Sequence, residues 1–174
     1  MNVYRTGPRT ARLSMRAMTV DDAESFLALN GNLQVMRYTH EPLTESLDQA
    51  KESLRCYPDF DDVGFGRWGC YLNETGQMIG FCGLKRLPEL EEVDVGFRFL
   101  PEFWGRGLAT EAARASVKFG FERIGLQRII GLVLPDNHAS IRVLEKSGLR
   151  FEDEFYEQGL RVLRYGIGRV DLKS

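Results

Sequence analysis

The chain has 174 residues, 43% of them hydrophobic and 28% charged, with a formal net charge of −2. That length supports one domain with a full core and no need of disulfide or metal staples. The even charge balance argues against a nucleic-acid-binding surface as the main purpose, since such domains carry an obvious basic excess. Three cysteines, Cys56, Cys70 and Cys82, form no CxxC pair, which fits a reducing compartment and no disulfide framework. Only His40 and His138 are available, too few for a His-rich metal site. The opening MNVYRTGPRT lacks the apolar segment of a signal peptide, and no apolar run approaches a membrane span. The expectation is a cytoplasmic protein with no metal, no nucleic-acid partner and no membrane attachment.

Residues 1–10 read as a loose leader, and residues 11–170 as a single domain. Leu13, Met15 and Ala17 alternate with Arg12, Ser14 and Arg16, which predicts a half-buried strand. Thr19 is the expected N-cap of a helix that carries Asp21, Asp22 and Glu24 in its first turn. That helix buries Ala23, Phe26 and Leu27 and stops at Asn30-Gly31. Residues 31–43 are irregular, yet Val35, Met36 and Tyr38 need something to cover. Thr44 is expected to cap a second helix ending near Cys56, with Leu47, Ala50 and Leu54 on one side. Residues 59–66 read as an acidic turn-rich loop, solvated or facing a cationic amine through Asp59, Asp61 and Asp62. A hairpin is predicted over 68–72 and 78–87, turning at 73–76, and Gly80 and Gly83 mark a close approach to its second arm.

The stretch from Glu92 to Phe121 organises the rest. Val93, Val95, Phe97 and Phe99 line one face of a strand over 92–100, and a turn, Trp104-Gly105-Arg106-Gly107, follows. A helix then runs from Leu108 to about Arg123, with Leu108, Ala112, Ala115 and Phe119 at helical spacing. A strand that feeds a glycine turn opening a helix can build an anion site. The first helical turn has unpaired N–H groups and the positive end of the dipole, and glycine lets backbone approach a phosphate. Residues 104–110 thus form a candidate pyrophosphate cradle, with Arg106 adding charge; spacing alone leaves an ordinary β–α turn as an equal alternative. Gly125 is the expected stop, and residues 128–134 form a short apolar strand in which Gly131 marks a bulge or close approach. Asn137 or Asp136 caps a short helix over 139–147, and 151–156 with 161–167 make a final antiparallel pair.

PEFWGRGLATEA resembles the coenzyme-A-binding signature of the GNAT superfamily of N-acetyltransferases, closest to the branch containing the ribosomal-protein alanine N-acetyltransferases. That pattern is Gln or Arg, two residues, Gly, one residue, then Gly or Ala. Gly107 and Ala109 hold the last two fixed places, and Trp104 stands at the first. Residues 135–149 resemble the family's later Asn-containing segment and helix, and residues 12–23 are similar to the opening of the same branch. The resemblance covers about residues 10–170, with three blocks in the family's order.

It implies an α+β fold, the GNAT fold, with a mixed, mostly antiparallel sheet of about seven strands flanked by about four helices. The sheet splays between its fourth and fifth strands, here 92–100 and 128–134, and acetyl-coenzyme A lies in that cleft. The implied cofactor set is the turn and helix start (Trp104, Gly105, Arg106, Gly107, Leu108, Ala109 and Thr110), the strand backbone at Phe97 and Phe99, and Asn137 with Ser140. Strand backbone would pair with the pantetheine arm as a peptide adds to a sheet, and an N–H there would polarise the thioester carbonyl. The implied reaction is acetyl transfer to a primary amine, on a protein N-terminus or a small molecule, by direct attack in a ternary complex. The base is Glu92 or Asp94, acting if partial burial raises its pKa toward neutrality. The family's usual acid, a Tyr, is replaced here by Leu144, which leaves Ser140 or a water it holds to protonate the thiolate. Relatives are commonly homodimers.

Gly105 and Gly107 also fit G-x-G, but Thr110 falls where a dinucleotide fingerprint needs Gly or Ala, and a P-loop lacks its Gly-Lys-Ser/Thr. The rival from another class is a GNAT-fold module that binds coenzyme A or a partner without catalysing; the missing Tyr keeps it open.

Overall fold

The computed structural model describes residues 1–172. One mixed sheet of eight strands runs β1 (Thr6–Arg9), β2 (Leu13–Ala17), β3 (Arg67–Leu72), β4 (Met78–Leu87), β5 (Glu92–Phe99), β6 (Arg128–Val133), β7 (Arg150–Glu157) and β8 (Leu160–Gly168). Their order across the sheet is β1-β2-β3-β4-β5-β6-β8-β7. Every neighbouring pair is antiparallel except β5 with β6, which is parallel. Four helices of eight residues or more lie against it among the described residues: α1 (Ala23–Asn30), α3 (Leu47–Arg55), α5 (Leu108–Phe119) and α6 (His138–Lys146); two single turns are α2 (Leu33–Met36) and α4 (Asp59–Asp62).

Residues 1–10 are not a loose leader. Thr6–Arg9 pair with β2 and add an eighth strand at the sheet edge. The cause lies far along the chain: fully buried Trp68 donates its indole N–H to the Tyr4 carbonyl at 2.8 Å. Gly7 lies so close to the Trp68 ring that a Cβ there would collide with it. Thr19 does cap the first helical turn, and the Asp22 carboxylate accepts from the Thr19 N–H at 2.8 Å. The second long helix is capped by Ser46, not Thr44; its hydroxyl accepts from the Gln49 N–H at 3.1 Å. The acidic 59–66 loop begins with the turn α4, because Phe60 is buried in the core.

The main core fills the space between one sheet face and α5. Trp68, Cys70, Cys82, Leu84, Val95 and Phe99 meet Leu108, Ala112, Ala113, Val117 and Phe121. The buried stripe of α5 is wider than its apolar letters, since Ser116 is fully buried with its hydroxyl 3.4 Å from the Cys82 sulfur. After Phe119 the helix loosens into a π-turn, Gly120–Ile124, and Gly125 ends it at φ 86°, a left-handed angle that glycine adopts without strain. The opposite face is covered by α1 and α3 around Ala23, Ala50 and Leu54, and around Leu29, Phe81 and Leu100.

Candidate active site

The break in the sheet lies between β5 and β6. Their parallel ladder has a single register position, Asp94 with Ile130, whereas β4 pairs with β5 along its whole length. The Leu100 N–H donates to the Ile79 carbonyl of β4 at 2.9 Å. Alternation along an extended strand then turns the N–H and C=O of Phe97 and Phe99 the other way, toward β6. Past Asp94 the ladder to β6 has ended, so this stretch of β5 offers an unpaired strand edge inside the sheet. The Phe99 carbonyl is covered from within: the Trp104 indole donates to it at 2.7 Å. Because β5 and β6 are parallel, their C-terminal ends, and the residues that follow each, lie at the same end of the cleft. Ligands in open sheets bind outside such ends.

After β5 come the turn and α5. Gly105 and Gly107 have φ 76° and 75°. Gly107 is the N-cap of α5 and supplies no side chain, so the first-turn N–H groups of the helix stay open. Trp104, Gly105, Arg106 and Gly107 are exposed; Leu108 is buried and anchors the helix start, with Ala109 and Thr110 half-buried. The Arg106 guanidinium stacks over Phe103 at 5.3 Å from the ring centre. Glu111, in the same first turn, would oppose an anion. Its carboxylate accepts from the Thr10 hydroxyl at 2.7 Å and from Arg12 Nε at 2.9 Å. Burial pushes its pKa up, but those bonds outweigh burial and hold it below the usual carboxylate range.

After β6 comes Asn137, the N-cap of α6, whose side-chain oxygen accepts from the Ser140 N–H at 3.3 Å. The Ser140 hydroxyl has no hydrogen-bond partner among the described residues. One helical turn on, Leu144 is 2% exposed and packs directly onto Gly131 of β6. This explains the glycine as a close approach: a Cβ at Gly131 would overlap the Leu144 side chain. It also leaves no hydroxyl at position 144.

The two candidate bases both carry guanidinium partners, which the sequence argument from burial alone did not include. Asp94 Oδ1 accepts from Arg67 Nη2 at 2.9 Å, and the two side chains are 13% and 16% exposed. Arg67 Nη1 also donates to the Gly83 carbonyl at 2.7 Å, and the guanidinium lies across Gly96, where a Cβ would strike it. Burial works against the Arg67 charge, but Asp94 and Tyr57 more than offset it. Both oxygens of Glu92 accept from Arg128 Nε, at 2.9 and 3.1 Å. Among the described residues Asp94 therefore keeps one oxygen free of such a partner and Glu92 keeps none. On the same β5 face, Arg98 donates to Asn30 at 2.8 Å and to Glu41 at 2.7 Å, which ties the 31–43 segment over the strand. Asp59 accepts from the Tyr57 hydroxyl and from Lys85, and Asp61 pairs with Arg5, so these carboxylates already have cations or donors of their own. Arg67, Arg98 and Arg128 escaped the sequence reading because each partner sits on another element.

Comparison with known proteins bears on this geometry. The family model described as an acetyltransferase (GNAT) domain matches residues 12–150. The uncharacterized N-acetyltransferase YoaA of Bacillus subtilis is 34% identical over 145 residues, 82% of each chain. The FsC-acetyl coenzyme A-N(2)-transacetylase of Aspergillus fumigatus is 30% identical, over 86% of this chain and 67% of its own. Among solved structures, spermidine N-acetyltransferase of Vibrio cholerae, in complex with CoA and spermine, superposes with a TM-score of 0.77 at 22% identity, over 93% of this chain and 98% of that one.

Proposed function

This chain belongs to the GNAT acetyltransferases and is an acyltransferase of that family, and from that premise we propose a transfer of acetyl from acetyl-coenzyme A to a primary amine, by direct attack in a ternary complex. The observation that carries the reading is the unpaired β5 edge at Phe97 and Phe99 opening beside an uncapped helix N-terminus at Gly107. Residues 11–170 work as one domain, with β1 joined to it.

The roles follow from the atoms available. The first-turn N–H groups of α5 and the loop Trp104, Gly105, Arg106, Gly107, Leu108, Ala109 and Thr110 hold the pyrophosphate. Phe97 and Phe99 pair with the pantetheine arm, and the Trp104 indole gives up the Phe99 carbonyl as the arm enters. A β5 N–H polarises the thioester carbonyl. Asp94, through its free oxygen or a water on it, takes the proton of the attacking amine; Glu92 is the second choice because both its oxygens are engaged. Ser140, beside Asn137, protonates the leaving thiolate directly or through water. The acceptor is a protein N-terminus or a small amine, as in the ribosomal-protein branch and the spermidine enzymes that this chain resembles. The protein works in the cytoplasm.

Leu144 at the usual acid position favours a second reading, a module that binds coenzyme A and does not catalyse. Thiol release from acetyl-coenzyme A across a panel of N-terminal peptides and small amines separates the two. Amine-dependent release is the expected result; coenzyme A binding with no release from any amine would leave the binding module, and no binding at all would end both.

A further inference from the structure

Arg12 lies in the turn between β1 and β2, and its contacts converge on the loop before α5. Its Nη1 donates to the Arg106 carbonyl at 2.9 Å, and its Nε to Glu111 Oε1 at 2.9 Å. Its own backbone N–H donates to Glu111 Oε2 at 3.2 Å, and Nη2 lies 3.6 Å from where a Cβ on Gly107 would stand. One guanidinium thus bridges the loop backbone and the first turn of the helix. The Arg106 carbonyl it holds sits between two left-handed glycines, the residues whose rotation would reorient the loop's peptide planes. The carboxylate it holds is the negative charge in the first turn of α5, where it would repel a bound phosphate.

We infer that Arg12 is a positioning residue for acetyl-coenzyme A: it presets the 105–107 loop and cancels the Glu111 charge, so that the helix start receives the pyrophosphate. This rests on the proposed cofactor site at residues 104–110. Arg12 touches the loop and Glu111, and it acts on the cofactor through them.

The test measures coenzyme A affinity by calorimetry, and KM and kcat with acetyl-coenzyme A, for R12M, R12K, R12M/E111Q and G107V. Methionine keeps the apolar stem and removes every side-chain donor. R12M should weaken binding about tenfold, the size of a lost charge-assisted hydrogen bond, with the loss in KM and not in kcat. R12K keeps the charge but cannot span carbonyl and carboxylate together, so its affinity should fall between R12M and the parent. R12M/E111Q should bind more tightly than R12M, because the uncompensated carboxylate is gone. Wild-type affinity in R12M with weakened binding in G107V would overturn the inference and leave the cofactor site standing. Wild-type affinity in both would remove the site reading itself. Weakened binding in R12M with no recovery in R12M/E111Q, or with R12K no better than R12M, would reduce Arg12 to a scaffold and overturn the charge argument.

Discussion

Asp94 and Glu92 differ at the level of single oxygens, and that difference makes a prediction. Asp94→Asn keeps a hydrogen bond to Arg67 but removes the counter-charge of a buried guanidinium, so the variant must first be shown to fold. If Asp94 is the base, it should keep coenzyme A affinity and lose about 10²–10⁴-fold in kcat, the usual range for a general base. The loss should shrink as pH rises, because the amine then deprotonates itself. Destabilisation alone would not recover in that direction. Glu92→Gln should cost less, since both Glu92 oxygens are already taken by Arg128. Full activity of Asp94→Asn across the pH range would show that β5 supplies no base through this residue. The candidate oxygens lie on a strand whose alternation was legible: Glu92 and Asp94 face away from Val93, Val95 and Phe97. Their guanidinium partners were not, because Arg67 is 27 positions away and Arg128 is 36.

At the scale of elements, the tie between the β1–β2 turn and α5 runs through one carboxylate, and acid should loosen it. Hydrogen bonds from Thr10 and Arg12 hold the folded Glu111 below its unfolded value near 4.5, despite the opposing effect of burial. A depressed folded value contributes stability that is present above 4.5 and is lost as pH falls through the lower, folded value. The stability difference between the parent and Glu111→Gln, read from urea midpoints, should therefore be constant near neutrality and shrink below pH 4.5. A difference that grew on acidification would show that the tie is not ionic. Most elements this tie connects were legible because their signals are local. Leu13, Met15 and Ala17 alternate, Thr19 caps, Gly125 ends the turn that follows α5, and of the two candidate caps Asn137 and Asp136 it is Asn137 that caps α6. β1 was not legible. Thr6–Arg9 contains a proline and no apolar alternation, and proline is tolerated there because β1 is an edge strand. Its order comes from Trp68, whose indole bonds the Tyr4 carbonyl 64 positions away.

Over the whole molecule, the sheet is held as one continuous ladder on each side of the β5–β6 break, and little backbone pairing crosses the break. A ligand that pairs with β5 and fills the start of α5 therefore adds bonds where the protein has fewest of its own. Such a ligand would bind the folded chain and not the unfolded one, because the proposed site draws on β5, the loop, α5 and α6 together. At about 100 times its dissociation constant such a ligand adds about 2.7 kcal/mol to stability. For a chain of this length that corresponds to a rise in melting temperature on the order of 5–10 °C. Acetyl-coenzyme A should produce it, and Gly107→Val should abolish it while the protein still folds. Among the described residues only Arg12 Nη2, at 3.6 Å, lies within 4 Å of a Cβ at Gly107, so the added side chain points away from the core and would meet a ligand bound at the proposed site. Its φ of 75° adds local strain of about 1–2 kcal/mol, which lowers the unliganded melting temperature without removing the fold. Hydrogen exchange gives the spatial check: protection on ligand addition should appear at Phe97, Phe99 and the first turn of α5, and not along β7. An unchanged melting temperature at saturating acetyl-coenzyme A, together with unchanged exchange at those amides, would place the cofactor somewhere other than this cleft.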